Sequence, residues 1–248
     1  MYCKYCYKNK KLIKAHILPR KFYLDYEKEG YQALNIDGSY KIFQSGFYDN
    51  QILCADCDGK ILKLYDDEAY RLLLDIESKK CKTFIDDLPV YHYTEKEFNY
   101  DKIRKFFIAL LWKASISNSE YSKNIDLGPY EKLALDILKD KEKHNNLFKI
   151  VVFKEKECNH YTSVHFFQKL KSGRQNIIYA ICFYKYFVLV FPKYLYQNNT
   201  ETKLFEELMI TSNDFIIAET NGFYDKKISY LSKFSDGIRK KISNKQLK

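Results

Sequence analysis

The sequence predicts an α+β protein, and three observations indicate this class. Two cysteine pairs lie near the N-terminus, helical spacing of apolar residues fills the middle of the chain, and runs rich in Val, Ile, Phe and Tyr follow over residues 147–192. Helices followed by consecutive strands are typical of α+β folds rather than of alternating α/β folds. With 248 residues, the chain is long enough for one large domain or two small ones.

The first element is a pair of Cys-x-x-Cys motifs, formed by Cys3 and Cys6 and by Cys54 and Cys57. Two such motifs supply the four thiolates that a tetrahedral structural zinc needs. The other three of the seven cysteines have no partner at this spacing, so we do not expect them to be ligands. The regular spacing favours one shared zinc site over four buried free thiols.

A helix is predicted over residues 57–78, where apolar residues recur at three- and four-residue steps. Its start coincides with the second cysteine pair. A cysteine knuckle followed by a second pair at a helix start is the arrangement of a treble-clef zinc finger. The preceding residues suggest a short strand or loop over 12–18 and an irregular insertion over 21–47, with a hairpin near Asp37 and Gly38.

The remainder of the chain contains further helices and then strands. Helices are predicted over 100–115, which is apolar on most sides, and over 129–141, with Pro129 in the first turn. A Lys-rich terminal helix is predicted over 226–245. Strands that together form an antiparallel β-rich region are predicted over 148–153, 162–168, 177–183, 186–191 and 215–218. We therefore divide the chain into a zinc-binding domain, 1–79, and a helical and β-rich domain, 80–248.

Net charge and hydropathy limit the kinds of binding partner and the cellular location that we expect. The formal net charge is +10, which attracts polyanions such as nucleic acid, although a Lys-, Asn- and Tyr-rich composition is also typical of an AT-rich genome. The longest apolar run, Phe106–Trp112, is far too short to span a bilayer. The first residues lack the apolar stretch of a signal peptide, so we expect a cytoplasmic protein with reduced thiols and no membrane partner.

A second motif lies between the cysteine pairs. The order is Ala15-His16-Ile17-Leu18-Pro19, then Asp49-Asn50, then Leu53-Cys54-Ala55-Asp56-Cys57-Asp58. This order resembles that of the zinc-bearing HNH endonucleases, also called His-Me finger nucleases. The resemblance covers about residues 3–75 and is strongest to the subgroup whose motif is Ser-His-Ile-Ile-Pro, with Ala15 in place of the serine.

The resemblance implies a metal-dependent endonuclease with a ββα-metal site that hydrolyses phosphodiester bonds in DNA or RNA. His16 is then the general base that takes a proton from the attacking water. Asp49 or Asn50 orients its imidazole, and Asp58 holds a catalytic Mg²⁺ or Mn²⁺ that stabilises the leaving oxygen. The four cysteines hold a structural zinc. The resemblance also implies nucleic acid, DNA above all, as the partner.

One position departs from the pattern of that family. Ala15 stands where the family usually has a metal-binding side chain, so Asp56 or Asp49 has to replace it, or the metal site is lost. If it is lost, the chain is a catalytically inactive treble-clef module that binds nucleic acid or a partner protein. The corresponding alternatives are a packed core histidine for His16 and solvated loop or helix-cap residues for the aspartates.

Residues 80–248 carry no motif that we could assign to a family. Small HNH-like proteins often serve as nuclease subunits in phage defence or mobile elements. By this analogy, residues 80–248 are expected to gate the nuclease or to bind a protein partner.

Overall fold

The computed structural model confirms the α+β class. The described residues form four α-helices and a seven-stranded sheet, and the structure brings four N-terminal cysteines together. None of the helices described is both long and apolar enough to cross a membrane. The structure describes residues 1–22, 31–34, 40–43, 46–79, 82–119, 125–141, 147–156, 165–168, 178–193 and 200–220.

The N-terminal region begins with a hairpin of residues 1–10. Tyr2 bridges Asn9, and the Cys3 N–H donates to the Lys8 carbonyl at 3.1 Å. The strand or loop predicted over residues 12–18 is reduced to β1, Ala15–His16.

The N-terminal region also contains two short antiparallel ribbons. Strand β1 pairs with β4, Tyr48–Asp49, so residues far apart in sequence become neighbours. Strands β2, Tyr31–Leu34, and β3, Tyr40–Phe43, pair with each other and flank the predicted turn at residues 37–38. The turn itself lies outside the described residues.

The helix predicted over residues 57–78 is confirmed, with one irregularity. It begins as a π-helix, Cys57–Leu62, continues as α1, Lys63–Leu73, and is followed by a 3₁₀ turn, Ile76–Ser78. A π-helix closes its turns with i→i+5 hydrogen bonds, is rare, and is often found at functional sites. The buried side of α1 consists of Tyr65, Ala69, Leu72 and Leu73.

The helices predicted over 100–115 and 129–141 are also confirmed. They are α2, Tyr100–Ile116, and α3, Tyr130–Leu138. The Asn99 side chain begins α2 by accepting a hydrogen bond from the Lys102 N–H at 3.0 Å. Residues 103–114 of α2 are all buried, so this helix has no solvent-facing side over three turns.

The large sheet has the strand order β5-β6-β11-β7-β10-β9-β8. Its neighbours pair antiparallel with one exception, because β11 runs parallel to β7. The predicted antiparallel β-rich region is therefore present, and the β11–β7 pair is its one parallel exception among the described strands. The strands are β5 Lys82–Ile85, β6 Leu88–Thr94, β7 Leu147–Glu155, β8 His165–Gln168, β9 Tyr179–Phe183, β10 Tyr186–Lys193 and β11 Asp214–Thr220.

Two elements of this region were not predicted. One is the β5–β6 hairpin, whose turn residues Asp86 and Asp87 both have positive φ angles, of 46° and 62°. Aspartate is one of the few non-glycine residues that adopt this conformation in two-residue hairpin turns. The other is α4, Thr200–Leu208. The terminal helix predicted over 226–245 lies outside the described residues.

The sheet is covered on both faces. One face shares a continuous core with α1, α2, α3 and the N-terminal region, and the other packs against α4 through Leu204, Phe205 and Leu208. The first core runs without interruption from Cys3 and Leu72 to Phe148 and Val188. The predicted division at residue 79 therefore crosses a shared core. The division itself stays a prediction about folding units.

The cap of α2 gives a first test of the fold. Asn99→Ala removes the acceptor for the Lys102 N–H, so we expect a loss of about 1 kcal/mol in the free energy of unfolding. Asn99→Asp retains an acceptor and should cost little. Urea titration followed by circular dichroism measures both values. Equal losses for the two substitutions would show that the cap does not stabilise α2.

Candidate functional site

Four cysteines form a compact group of potential metal ligands. The Sγ atoms of Cys3, Cys6, Cys54 and Cys57 all lie within 4.8 Å of one another. In the described part of the chain this is the only group of three or more His, Cys, Asp or Glu side chains that could hold a metal ion. The residues predicted as zinc ligands are thus brought together by the fold.

The backbone on both sides of the cluster is fixed by hydrogen bonds. The Tyr7 N–H donates to the Cys3 carbonyl at 2.8 Å, which closes the first knuckle, and the Lys4 N–H donates to the Ile52 carbonyl at 2.8 Å. The Cys54 N–H donates to Cys3 Sγ at 3.4 Å. Cys54 and Cys57 lie at the helix start, where the exposed N–H groups of the first turn favour thiolates.

The thiols influence one another electrostatically. Burial raises the pKa of Cys3 and of Cys57. Burial also raises the pKa of Cys6, but hydrogen bonds from the Lys8 backbone and from the neighbouring thiols outweigh it and lower this pKa to about 7. One thiolate, that of Cys6, is therefore accessible near neutral pH, whereas Cys3 and Cys57 need an additional positive charge to ionise.

Zinc fits this donor set. Four thiolates at a Zn–S distance of about 2.3 Å lie roughly 3.8 Å from one another in a tetrahedron, within the spread of the cluster. Two lysines lie close enough to interact with the thiolate charge, Lys10 near Cys54 and Lys139 near Cys57. Zinc would supply the charge that lets all four thiols ionise, and it would close the site without an open coordination position.

His16, the predicted base, lies on β1 and is half-buried. It is paired across the ribbon with Tyr48, and their ring centroids are 6.2 Å apart. Because cross-strand neighbours share a face, His16 lies on the Tyr48 face of the ribbon, and Ala15 and Asp49 lie on the opposite face.

Asp49 makes contacts on that opposite face. The residue is buried, and its carboxylate accepts hydrogen bonds from the Gln51 N–H at 2.7 Å, the Ser117 hydroxyl at 2.8 Å and the Asn118 N–H at 2.9 Å. The carboxylate thus joins β4 to the end of α2. Asn50, the other residue predicted to orient His16, is exposed and lines an open cleft of about 360 Å³ beside Asn118.

Asp58 and Asp56 lie at the start of the helix that follows the cysteines. Asp58 is half-buried and is the first residue after Cys57. Asp56 forms ion pairs with Lys10 at 2.7 Å and with Lys60 at 2.8 Å, and these hydrogen bonds lower its pKa to about 2. Both proposed substitutes for the ligand missing at Ala15, Asp49 and Asp56, are thus engaged elsewhere in this structure.

Two residues near His16 were missed by the sequence reasoning. Lys113 of α2 is only 1% exposed, and its Nζ donates to the His16 carbonyl at 2.9 Å. Asp66 of α1 is half-buried, and burial raises its pKa to about 6, with Asp58 adding to the rise and Lys113 opposing it. Asp58, Asp66 and Lys113 are therefore close enough to interact beneath the His16 segment.

A sequence signal for Lys113 did exist. The lysine follows directly on the apolar run Phe106–Trp112 in a helix that was predicted to be buried. A buried ammonium group needs a partner, so its position predicts a contact with a carbonyl or carboxylate from another element. The identity of that partner could not be read from the sequence, because the contact joins residues 97 positions apart.

Comparisons of the chain with protein-family models, with curated proteins and with solved structures found no match. The resemblance to HNH nucleases therefore depends on the motif residues and their spacing alone.

The four-cysteine cluster leads to a prediction of the metal content of the protein. Purified without chelator, the chain should contain one zinc per molecule by elemental analysis. Cys54→Ser should lose the metal and unfold the N-terminal region, because metal binding contributes several kcal/mol to folding in sites of this kind. Cys182→Ala is the matched control, since Cys182 is a buried cysteine in β9 that should affect stability but not zinc. Full zinc content in Cys54→Ser would contradict the assignment.

The raised pKa of Asp66 leads us to expect that the free energy of unfolding depends on pH. Its folded-state pKa of about 6 lies above the ordinary value of about 4, so the folded protein binds this proton more tightly than the unfolded chain does. Stability should therefore decline as pH rises from about 4 to about 6. Asp66→Asn should stabilise the protein by about 1 kcal/mol at pH 7.5 and by little at pH 4.

Urea unfolding at the two pH values measures this difference. The matched control is Asp67→Asn, because Asp67 is the next residue, is exposed and pairs with Lys63. It should show no gain at pH 7.5. The same response from both substitutions would show that Asp66 is not the group that titrates.

Proposed function

We propose that this chain is a metal-dependent endonuclease of the HNH type that hydrolyses phosphodiester bonds in DNA, with RNA as the other candidate polymer. One observation carries the proposal. His16 lies on a two-stranded antiparallel ribbon, and the partner strand β4 leads within five residues to Cys54, the four-cysteine cluster and the helix that bears Asp58. This is a ββα arrangement in the order that the motif implies.

The roles follow from where the side chains lie. His16 is half-buried, its carbonyl is fixed by Lys113, and its imidazole is the proposed acceptor of the proton of the attacking water. The cysteine cluster fixes the helix start, and with it Asp58. The net charge of +10 favours a polyanionic substrate.

Asp58 is the proposed protein ligand of a catalytic Mg²⁺ or Mn²⁺, which would stabilise the leaving oxygen. Magnesium is commonly held by one or two carboxylates together with water and substrate phosphates, so a single aspartate fits if the substrate completes the site. With Ala15 providing no ligand, we expect weak metal affinity and a requirement for Mn²⁺ or for millimolar Mg²⁺.

A second candidate function is a zinc module that binds nucleic acid or a protein partner without catalysis. The observation that favours it is the engagement of Asp49 by α2 and of Asp56 by two lysines, which leaves the metal site with one identified carboxylate. In either case we propose a cytoplasmic location. An effector role in phage defence or in a mobile element, with residues 80–248 binding a protein partner, is a further part of this proposal.

Cleavage assays test the nuclease proposal. Plasmid, linear DNA and RNA are incubated in Mg²⁺, Mn²⁺ or EDTA with the wild-type protein and with His16→Ala. Removal of the general base should lower turnover by ~10²–10⁴-fold while zinc content, fold and affinity are retained. Asp58→Asn should lower the affinity for the divalent ion, so that half-maximal turnover requires a higher concentration of Mg²⁺ or Mn²⁺.

The matched control is His92→Ala, because His92 is a histidine on β6 that contacts Asp214 at 2.6 Å in a different part of the fold. It should leave turnover unchanged. Cleavage that persists in both His16→Ala and EDTA would place the activity elsewhere, and binding without cleavage would favour the second candidate.

A further inference from the structure

Basic residues are concentrated at the N-terminus. Residues 1–22 contain seven Lys or Arg and no Asp or Glu, whereas residues 56–77 contain three basic and seven acidic residues. Lys10 is paired with Asp56. Lys4, Lys8 and Lys11 are exposed, and none of them forms an ion pair within the part of the chain that the structure describes. Three exposed lysines without an ion pair among the described residues therefore lie on or next to the N-terminal hairpin.

The same hairpin exposes two aromatic rings. Tyr2 is 68% exposed and Tyr7 is 64% exposed. Tyr7 adopts a left-handed conformation, with φ of 58°, and Lys139 lies 4.6 Å from its ring centroid. The hairpin that bears these rings also contributes Cys3 and Cys6 to the four-cysteine cluster.

We propose that the N-terminal hairpin and Lys11 form a binding surface for single-stranded nucleic acid. Lys4, Lys8 and Lys11 contact phosphates, and Tyr2 and Tyr7 stack on bases. Positive charge combined with exposed aromatic rings is the means by which proteins bind single strands without sequence preference. In a duplex the bases are already stacked, so the tyrosines gain nothing there.

The chain joins this surface to the proposed catalytic residues. From the hairpin the chain runs through Lys11 to Lys14, whose Nζ lies 3.8 Å from the ring centroid of Tyr48, the cross-strand partner of His16. A strand bound along this path reaches His16. The delivery of the strand to the general base His16 rests on the proposed nuclease function. Binding of the strand by the hairpin does not.

Binding is measured separately from catalysis. The zinc-loaded His16→Ala protein is titrated, without added Mg²⁺ or Mn²⁺, into three fluorescent ligands: a single-stranded oligonucleotide, the same sequence as a duplex, and heparin. Heparin is a polyanion without bases, so it separates charge from stacking. Affinity is recorded at several salt concentrations.

Two sets of substitutions should give different results. Tyr2→Ala with Tyr7→Ala should weaken single-strand binding at least ~10-fold and leave heparin binding unchanged. Replacing Lys4, Lys8 and Lys11 by Gln should weaken the binding of all three ligands. For the single strand it should also reduce the slope of log affinity against log salt concentration by about 2. The matched controls are Phe84→Ala, which removes a 70% exposed aromatic residue of β5, and replacement of Lys96, Lys132 and Lys193 by Gln.

The outcomes separate this inference from the nuclease proposal. Selective loss of single-strand binding supports the inference even if no substrate is cleaved. Three results would overturn the inference, even if the wild-type protein is a nuclease. They are an equal loss of oligonucleotide and heparin binding in the tyrosine variant, an equal effect of Phe84→Ala on single-strand binding, and unchanged single-strand binding in both sets of substitutions.

Discussion

The burial of one helix constrains the rest of the structure. Helix α2 carries three cationic side chains within its buried length, and each of them contacts a partner in another part of the chain. Arg104 donates to the Leu147 carbonyl at 2.8 Å, Lys105 pairs with Asp140, and Lys113 donates to a carbonyl of β1. Because an unpaired buried charge is costly, these contacts fix the elements around α2 in addition to the apolar packing.

The positions of the candidate catalytic groups depend on the same helix. Its middle supports the first cysteine knuckle through the edge-to-face contact of Trp112 with Tyr5, at a centroid separation of 5.9 Å. Its C-terminal end binds the carboxylate of Asp49 through Ser117. Helix α2 therefore supports the β1–β4 ribbon, the first cysteine knuckle and the start of the helix that follows Cys57. The motif that suggests a nuclease nevertheless ends before α2 begins.

The sequence was sufficient for features that depend on local spacing. The four-cysteine cluster follows from the cysteine pairs, and three helices follow from apolar periodicity, with Pro129 marking one of the starts. The sequence was insufficient to predict features that depend on contacts between residues far apart in the chain. Asp49 was assigned to His16 by its position in the motif, but the β1–β4 register places it on the opposite face of the ribbon. The parallel partner of β11 depends in the same way on the packing of the whole sheet.

The position of β11 has a consequence for the order of folding. This strand is the last one described in the chain, yet it lies in the sheet between β6 and β7, which are made much earlier. Until residue 220 has left the ribosome, the sheet exists as a two-stranded and a four-stranded half, each with an unpaired edge. Such edges template pairing between chains, so the two halves are exposed to intermolecular pairing until β11 is inserted between them.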